Sequence, residues 1–230
     1  MCRRNVDDIS DEPVFRTVVK PSVEDRNGVW GEPALVDASA ADSSRERHRA
    51  WLAEQWSRAA DRDNLGVFLF LCVFSGLAAI LCTVLKGTFG EGILTVAVAA
   101  PVAEEMSKVA MPLMVLEKRP WQFGAYSTIV LVGILSGAVF ASVENLLYFF
   151  VYIPQNKLTT GIILWRLLVC TTLHVGCTAL SCVGLARAWS SARAKRDAFT
   201  MSAAMPWLIA AMAIHGIYNF GAVLYSFLRP

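Results

Sequence analysis

Residues 127–153 read STIVLVGILSGAVFASVENLLYFFVYI, twenty-seven residues with a single charge, Glu144. As a helix, a run this long and this apolar crosses a hydrocarbon core of about 30 Å, for which about 20 residues suffice. Four further stretches, 65–85, 92–116, 160–186 and 204–228, are apolar over a comparable length, and the links between them are short. The sequence therefore predicts an all-α polytopic membrane protein, a bundle of about five transmembrane helices, preceded by a polar N-terminal extension.

The charges divide the chain in two. Residues 1–63 hold 13 acids and 10 bases and no long apolar run, whereas the remaining 167 of the 230 residues hold only six acids. Scattered prolines and glycines among charges (Pro13, Pro21, Gly28, Gly31, Pro33) predict that the start of the 1–63 extension is partly disordered. Residues 44–62 predict an amphipathic helix, with Trp51, Leu52, Trp56 and Ala59 on one face and Arg45, Arg49, Arg58 and Arg62 around it, suited to the surface of the cytoplasmic leaflet. The first 30 residues lack the apolar core of a cleavable signal, so the first span is expected to direct insertion. Residues 64–230 form the membrane domain. Nothing in the balance of charge offers a basic face for nucleic acid.

Orientation follows from the basic links. Lys118 and Arg119 follow the second span, and Arg187, Arg193, Lys195 and Arg196 follow the fourth, against only Lys86 and Lys157 in the other two links. Basic links stay in the cytoplasm, so the extension is expected inside the cell and the C-terminus outside. Trp121, Tyr126, Trp189 and Trp207 fit an inner aromatic belt, Tyr152 and Trp165 an outer one, with Arg166 expected to snorkel to the outer headgroups.

Against this apolar background the ionisable residues stand out. Glu104, Glu105 and Lys108 lie in the second span, Glu144 in the third, His174 in the fourth and His215 in the fifth, with Asn145 and Asn219 close by. A charge at the centre of a spanning helix costs roughly 2.5–3.5 kcal/mol, so such groups mark a functional site and are expected to face one another. Measured from the outer end of each helix at about 1.5 Å per residue, Glu144 lies roughly 14 Å deep, Glu104 roughly 18 Å, His215 roughly 20 Å and His174 roughly 21 Å. Helices of alternating direction thus place all four in one slab. Glu104 and Lys108 are four apart and Glu105 and Lys108 three apart, so both glutamates can pair with the lysine. Pro101 frees a carbonyl and bends the helix just before them. Gly133, Gly137 and Ala141 form a small-residue seam leading to Glu144, and Gly176 and Gly216 beside the histidines are expected to admit close helix approach.

Four strings carry a family resemblance: PVAEEMSK (101–108), FASVENLLY (140–148), HVGCTALSCVG (174–184) and HGIYNF (215–220). In this order they resemble the EExxK, FxxxEN, mid-helix His–Thr and HxxxN motifs of the PrsW intramembrane proteases, relatives of the type II CAAX prenyl endopeptidases and bacteriocin-processing proteins. The resemblance implies that residues 64–230 are a transmembrane protease-like domain, hydrolysing a peptide bond of a membrane-anchored protein in or near the bilayer. In the best-known branch of the family that substrate is an anti-sigma factor. By the same resemblance Glu104 is the general base, Glu105 and Lys108 orient it, Glu144 is a second carboxylate on the water or the leaving amine, and His174, His215 and Asn219 stabilise the oxyanion. Asn145 is read as a supporting hydrogen-bond partner.

No cofactor is expected on this reading. The nearest alternative is a zinc enzyme with Glu144, His174 and His215 as ligands and a further glutamate as base. Lys108 among the glutamates argues against a cation, and the absence of an HExxH string requires each ligand to come from a different helix. A non-catalytic membrane scaffold would keep the buried histidines but has no need of the adjacent Glu104 and Glu105. A proton-coupled transporter would show internal repeats, which are absent.

Overall fold

The computed structural model describes residues 38–58, 64–86 and 92–228, and among these there are helices and connecting turns but no strand. Helix α1 is Ala38–Arg58 and α2 is Leu65–Lys86. A π-helical turn, Thr95–Ala99, runs into α3, Ala100–Lys118. Then follow α4, Tyr126–Tyr152, α5, Thr160–Lys195, and α6, Met205–Leu228. The disorder expected early in the extension falls on residues outside those described.

The chain divides into two compact units, Met1–Ala59 with Lys195–Ala198, and Ala60–Ala194 with Phe199–Pro230. In the first, the Trp56 indole donates to the Asp197 carbonyl at 3.2 Å. The stretch expected as an amphipathic helix at 44–62 lies in α1 as far as Arg58.

The second unit is a bundle of α2 to α6. Three of these, α4, α5 and α6, are long and apolar enough to cross a membrane, and α2 contributes a shorter apolar stretch, Leu65–Leu81. Helix α3 is less apolar because Glu104, Glu105 and Lys108 interrupt it, and all three are buried. Helix α5 extends to Lys195, beyond the 186 expected, because its final turns are helical although no longer apolar.

Small residues set the neighbours. A Cβ on Gly76 of α2 would meet the Ser136 carbonyl of α4 at 2.6 Å, one on Gly137 of α4 would meet Val175 Cα of α5 at 2.9 Å, and one on Gly184 of α5 would meet Trp207 of α6 at 2.6 Å. One on Gly216 of α6 would lie 2.5 Å from the Ala97 carbonyl ahead of α3, and α3 packs along α2. The five helices therefore close into a ring, α2–α4–α5–α6–α3.

That ring holds a polar cluster within an apolar core and is apolar outside. Glu104, Lys108, Ser136, Glu144, His174 and His215 are buried, while Leu69, Phe74, Phe150, Leu168, Ile209 and Leu224 are exposed. Most backbone groups of a spanning helix are satisfied within its own segment, so lipid can cover such an exterior. Fold and composition agree on a multi-pass membrane protein.

Pro101 explains the irregular start of α3. It has no N–H to give the Ala97 carbonyl, and its ring crowds that oxygen. The turn opens into the π-helix, Ala97 O turns toward Gly216, and the neighbouring Val96 carbonyl accepts from Asn219 Nδ2 at 3.1 Å. The expected bend is thus built as a π turn closed by α6.

Candidate active site

Four helices deliver six ionisable side chains to the middle of the ring. Glu104, Glu105 and Lys108 come from α3, Glu144 from α4, His174 from α5 and His215 from α6, and none is more than 5% exposed. Their contacts run as a chain. His215 Nδ1 lies 2.9 Å from Glu105 Oε1, and the same oxygen accepts from Lys108 Nζ at 2.7 Å. Lys108 Nζ reaches His174 Nδ1 at 3.0 Å, and His174 Nε2 lies 2.9 Å from Glu144 Oε2. The ammonium also sits over the Phe140 ring, 3.9 Å from its centre. The two imidazoles meet edge to face with ring centres 4.8 Å apart. Opposite charges and hydrogen bonds thus offset a burial that each charge alone would not tolerate.

Adjacent residues on a helix diverge by about 100°, and Glu104 and Glu105 separate accordingly. Glu105 turns to Lys108 and His215. Glu104 Oε2 lies 3.8 Å from the other nitrogen of His215, Nε2. One donor atom from each of Glu104, His174 and His215 lies within 4.8 Å of the others, and all three residues are buried.

Asn145 and Asn219 occupy the margins. Asn145 donates to the Thr171 hydroxyl at 3.1 Å, whereas Asn219 directs its amide to the Val96 carbonyl rather than to the histidines. Thr178 bonds the His174 carbonyl of its own helix at 2.8 Å. Two residues differ from the sequence expectation, and the first belongs to the site. Arg166 does not snorkel to headgroups: its Nη2 donates to Glu144 Oε2 at 3.0 Å and its Nε to Asn145 Oδ1 at 3.0 Å. It lies eight residues before His174, two helical turns on one face, and that spacing was the signal available. Trp189 is not a belt residue either, being buried with its indole donating to the Pro120 carbonyl at 2.8 Å.

The two glycines expected at close helix contacts also differ. Gly216 is one, against Ala97 O, while a Cβ on Gly176 would meet nothing within 4 Å.

A family model described as PrsW family intramembrane metalloprotease matches residues 64–229, the span that contains all of these residues. The chain belongs to the PrsW family. Comparison with curated proteins and with solved structures finds no match. As a PrsW protein it is an intramembrane peptidase, a hydrolase that acts on membrane protein substrates in the lipid bilayer.

The family description does not support the expectation of no cofactor. A site without a cofactor does not suit a metalloprotease, and the zinc alternative does. The donor types suit that metal, although both ring nitrogens of His174 already meet partners, Nδ1 the Lys108 ammonium and Nε2 the Glu144 carboxylate. Two imidazoles and one carboxylate are a known catalytic zinc combination. The second nitrogen of His215 is held by Glu105, as metal-bound histidines commonly are held by a carboxylate. The group nevertheless differs from the expected triad in one member, Glu104 standing where Glu144 was named. Glu104 faces His215, while Glu144 Oε2 is shared between His174 and Arg166.

Proposed function

We propose that this PrsW protein cleaves a membrane-anchored, single-pass protein at a site where Glu104, His174 and His215 hold a zinc ion. The convergence of these three buried donors from three helices carries the reading. When bound, the metal would supply Lewis acidity to the scissile carbonyl and to water.

The protein's own groups have distinct tasks. Glu105 accepts from His215 Nδ1 and so leaves Nε2 facing Glu104. Lys108 links Glu105 to His174 and fixes both, its Nζ in contact with each. Glu144 stands beside the donor group at 2.9 Å from His174 Nε2, where a carboxylate can take the proton of the attacking water and pass it to the leaving amine. Asn219 steadies the π turn ahead of Pro101, and so the start of the helix that carries both adjacent glutamates. The extension and the basic links lie in the cytoplasm on this reading. An anti-sigma factor is the substrate the family resemblance suggests.

A second reading has its own observation. Lys108 puts an ammonium 3.0 Å from His174, which opposes a nearby cation and suits a metal-free site with Glu104 as the general base. One experiment separates the two. The purified protein in liposomes is offered a labelled single-pass reporter before and after chelation, and again with zinc restored. Loss on chelation and recovery with zinc support the zinc site. Undiminished cleavage by metal-stripped protein supports Glu104 as base, and undiminished cleavage by Glu104→Gln removes both readings.

A further inference from the structure

The cluster contains a cation that the four sequence motifs do not include. Arg166 lies at the first position of a π-helical turn, Arg166–Cys170, in α5. Its side chain is 12% exposed and paired with Glu144. The contacts around it form a closed circuit: Arg166 Nε donates to Asn145 Oδ1 at 3.0 Å, Asn145 Nδ2 donates to Thr171 Oγ1 at 3.1 Å, and Thr171 Oγ1 donates to the Arg166 carbonyl at 3.3 Å. The wider π turn brings the residue five further on, Thr171, back to that carbonyl. The guanidinium face rests on Tyr148, its carbon 3.4 Å from the ring centre. The fork is therefore fixed on two sides before it touches the site, and Nη2 is the arm left for Glu144 Oε2, at 3.0 Å.

We infer that Arg166 is a positioning residue for the hydrolysis: held by Asn145, Thr171 and Tyr148, it fixes Glu144 against His174. The inference rests on the role given to Glu144 above. The side-chain hydrogen bonds of Arg166 go to Asn145 and Glu144 rather than to Glu104, His174 or His215. Its planar, forked guanidinium reaches Asn145 and Glu144 at once, which the single ammonium of lysine cannot reproduce. Asn145, read from sequence as a general support, acquires a specific one: its oxygen orients the arginine and its amide closes the circuit through Thr171. Tyr148, four residues after Glu144 on the same face of α4, supplies the stacking surface.

The test uses single-turnover cleavage of the labelled single-pass reporter, with melting temperature in detergent measured alongside. In Arg166→Gln the cleavage rate is expected to fall by about 10- to 100-fold with KM within about twofold, because the general base is misplaced while substrate contacts persist. Arg166→Lys keeps the charge and guards against a fold lost with it, and it is expected to remain at least about fivefold slow at a wild-type melting temperature. In a Glu144→Gln background, Arg166→Gln is expected to cost no more than about a further twofold, since the group it positions is no longer a base. A wild-type rate in Arg166→Lys overturns the inference, because charge alone then suffices. An undiminished loss in the Glu144→Gln background overturns it too. Full activity of Glu144→Gln alone overturns instead the role of Glu144 on which it rests.

Discussion

The two glycines beside the histidines give opposite expectations from one substitution. At Gly216 an added Cβ would sit 2.5 Å from the Ala97 carbonyl oxygen, about 0.9 Å inside the 3.4 Å at which ordinary contact begins. That oxygen is backbone, held in the π turn before Pro101, so relief requires α6 to back away from α3. Overpacking of this kind costs about 1–3 kcal/mol, and the better helix propensity of alanine returns about 0.5–1 kcal/mol of it. The net expectation for Gly216→Ala is a loss of up to about 2.5 kcal/mol, centred on about 1 kcal/mol. It also moves His215, the preceding residue, and a displacement of about 1 Å at a reacting group can cost about 100-fold in rate. At Gly176 nothing lies within 4 Å of the added carbon, so the same substitution gains about 0.5–1 kcal/mol and leaves cleavage unchanged. Unfolding of both variants in detergent, with cleavage measured on the same preparations, reads both effects. Equal stabilities for the two, or a stabilised and active Gly216→Ala, would refute the close α3–α6 approach from which the magnitudes come.

Other expectations follow from single contacts. Lys108 is fully buried and holds Glu105 and His174, so Lys108→Met leaves the buried Glu105 carboxylate without its cation, with His215 as its remaining partner, and is expected to cost about 3 kcal/mol by thermal unfolding. Adding Glu105→Gln should recover part of that loss, and strictly additive losses would contradict the pairing. Glu105→Gln alone is expected to weaken zinc binding by about 10- to 100-fold in a competition titration while retaining measurable cleavage at saturating zinc, because it supports His215 rather than reacting. For topology, single cysteines at Lys157 and Arg193 should react with an impermeant reagent from opposite sides of the membrane. Reaction of both from one side would reverse the assignment of the links.

Much of this architecture is written in apolar length and in the rarity of charge within it. The run 127–153 appears as a helix shifted by one residue, and the slab of depth containing Glu104, Glu144, His174 and His215 is the centre of the ring. Such features are legible because lipid penalises every misplaced charge, so each one that persists points inward. What escaped depends on which helix face meets which neighbour. Arg166 looks like a headgroup anchor from its position near a helix end, and only the approach of α4 turns it to Glu144. Gly176 and Gly216 look alike in sequence, yet one meets the carbonyl released by Pro101 and the other meets no neighbour. Asn219 shares a face with His215 four residues before it, but the π turn offers its amide a nearer acceptor in Val96. Likewise Glu104 and Glu144 are both buried acids near histidines, and only the packing of the ring decides which one faces the pair.

The central claim, that Glu104, His174 and His215 form one metal-holding catalytic centre, is tested most directly by elemental analysis of metal in active protein purified without chelators. The account predicts about one zinc per chain in the wild type and less than about one tenth in His215→Ala and Glu104→Ala, both still folded by their melting transitions. A fully active wild-type preparation without stoichiometric metal, or variants that retain the wild-type content, would contradict it.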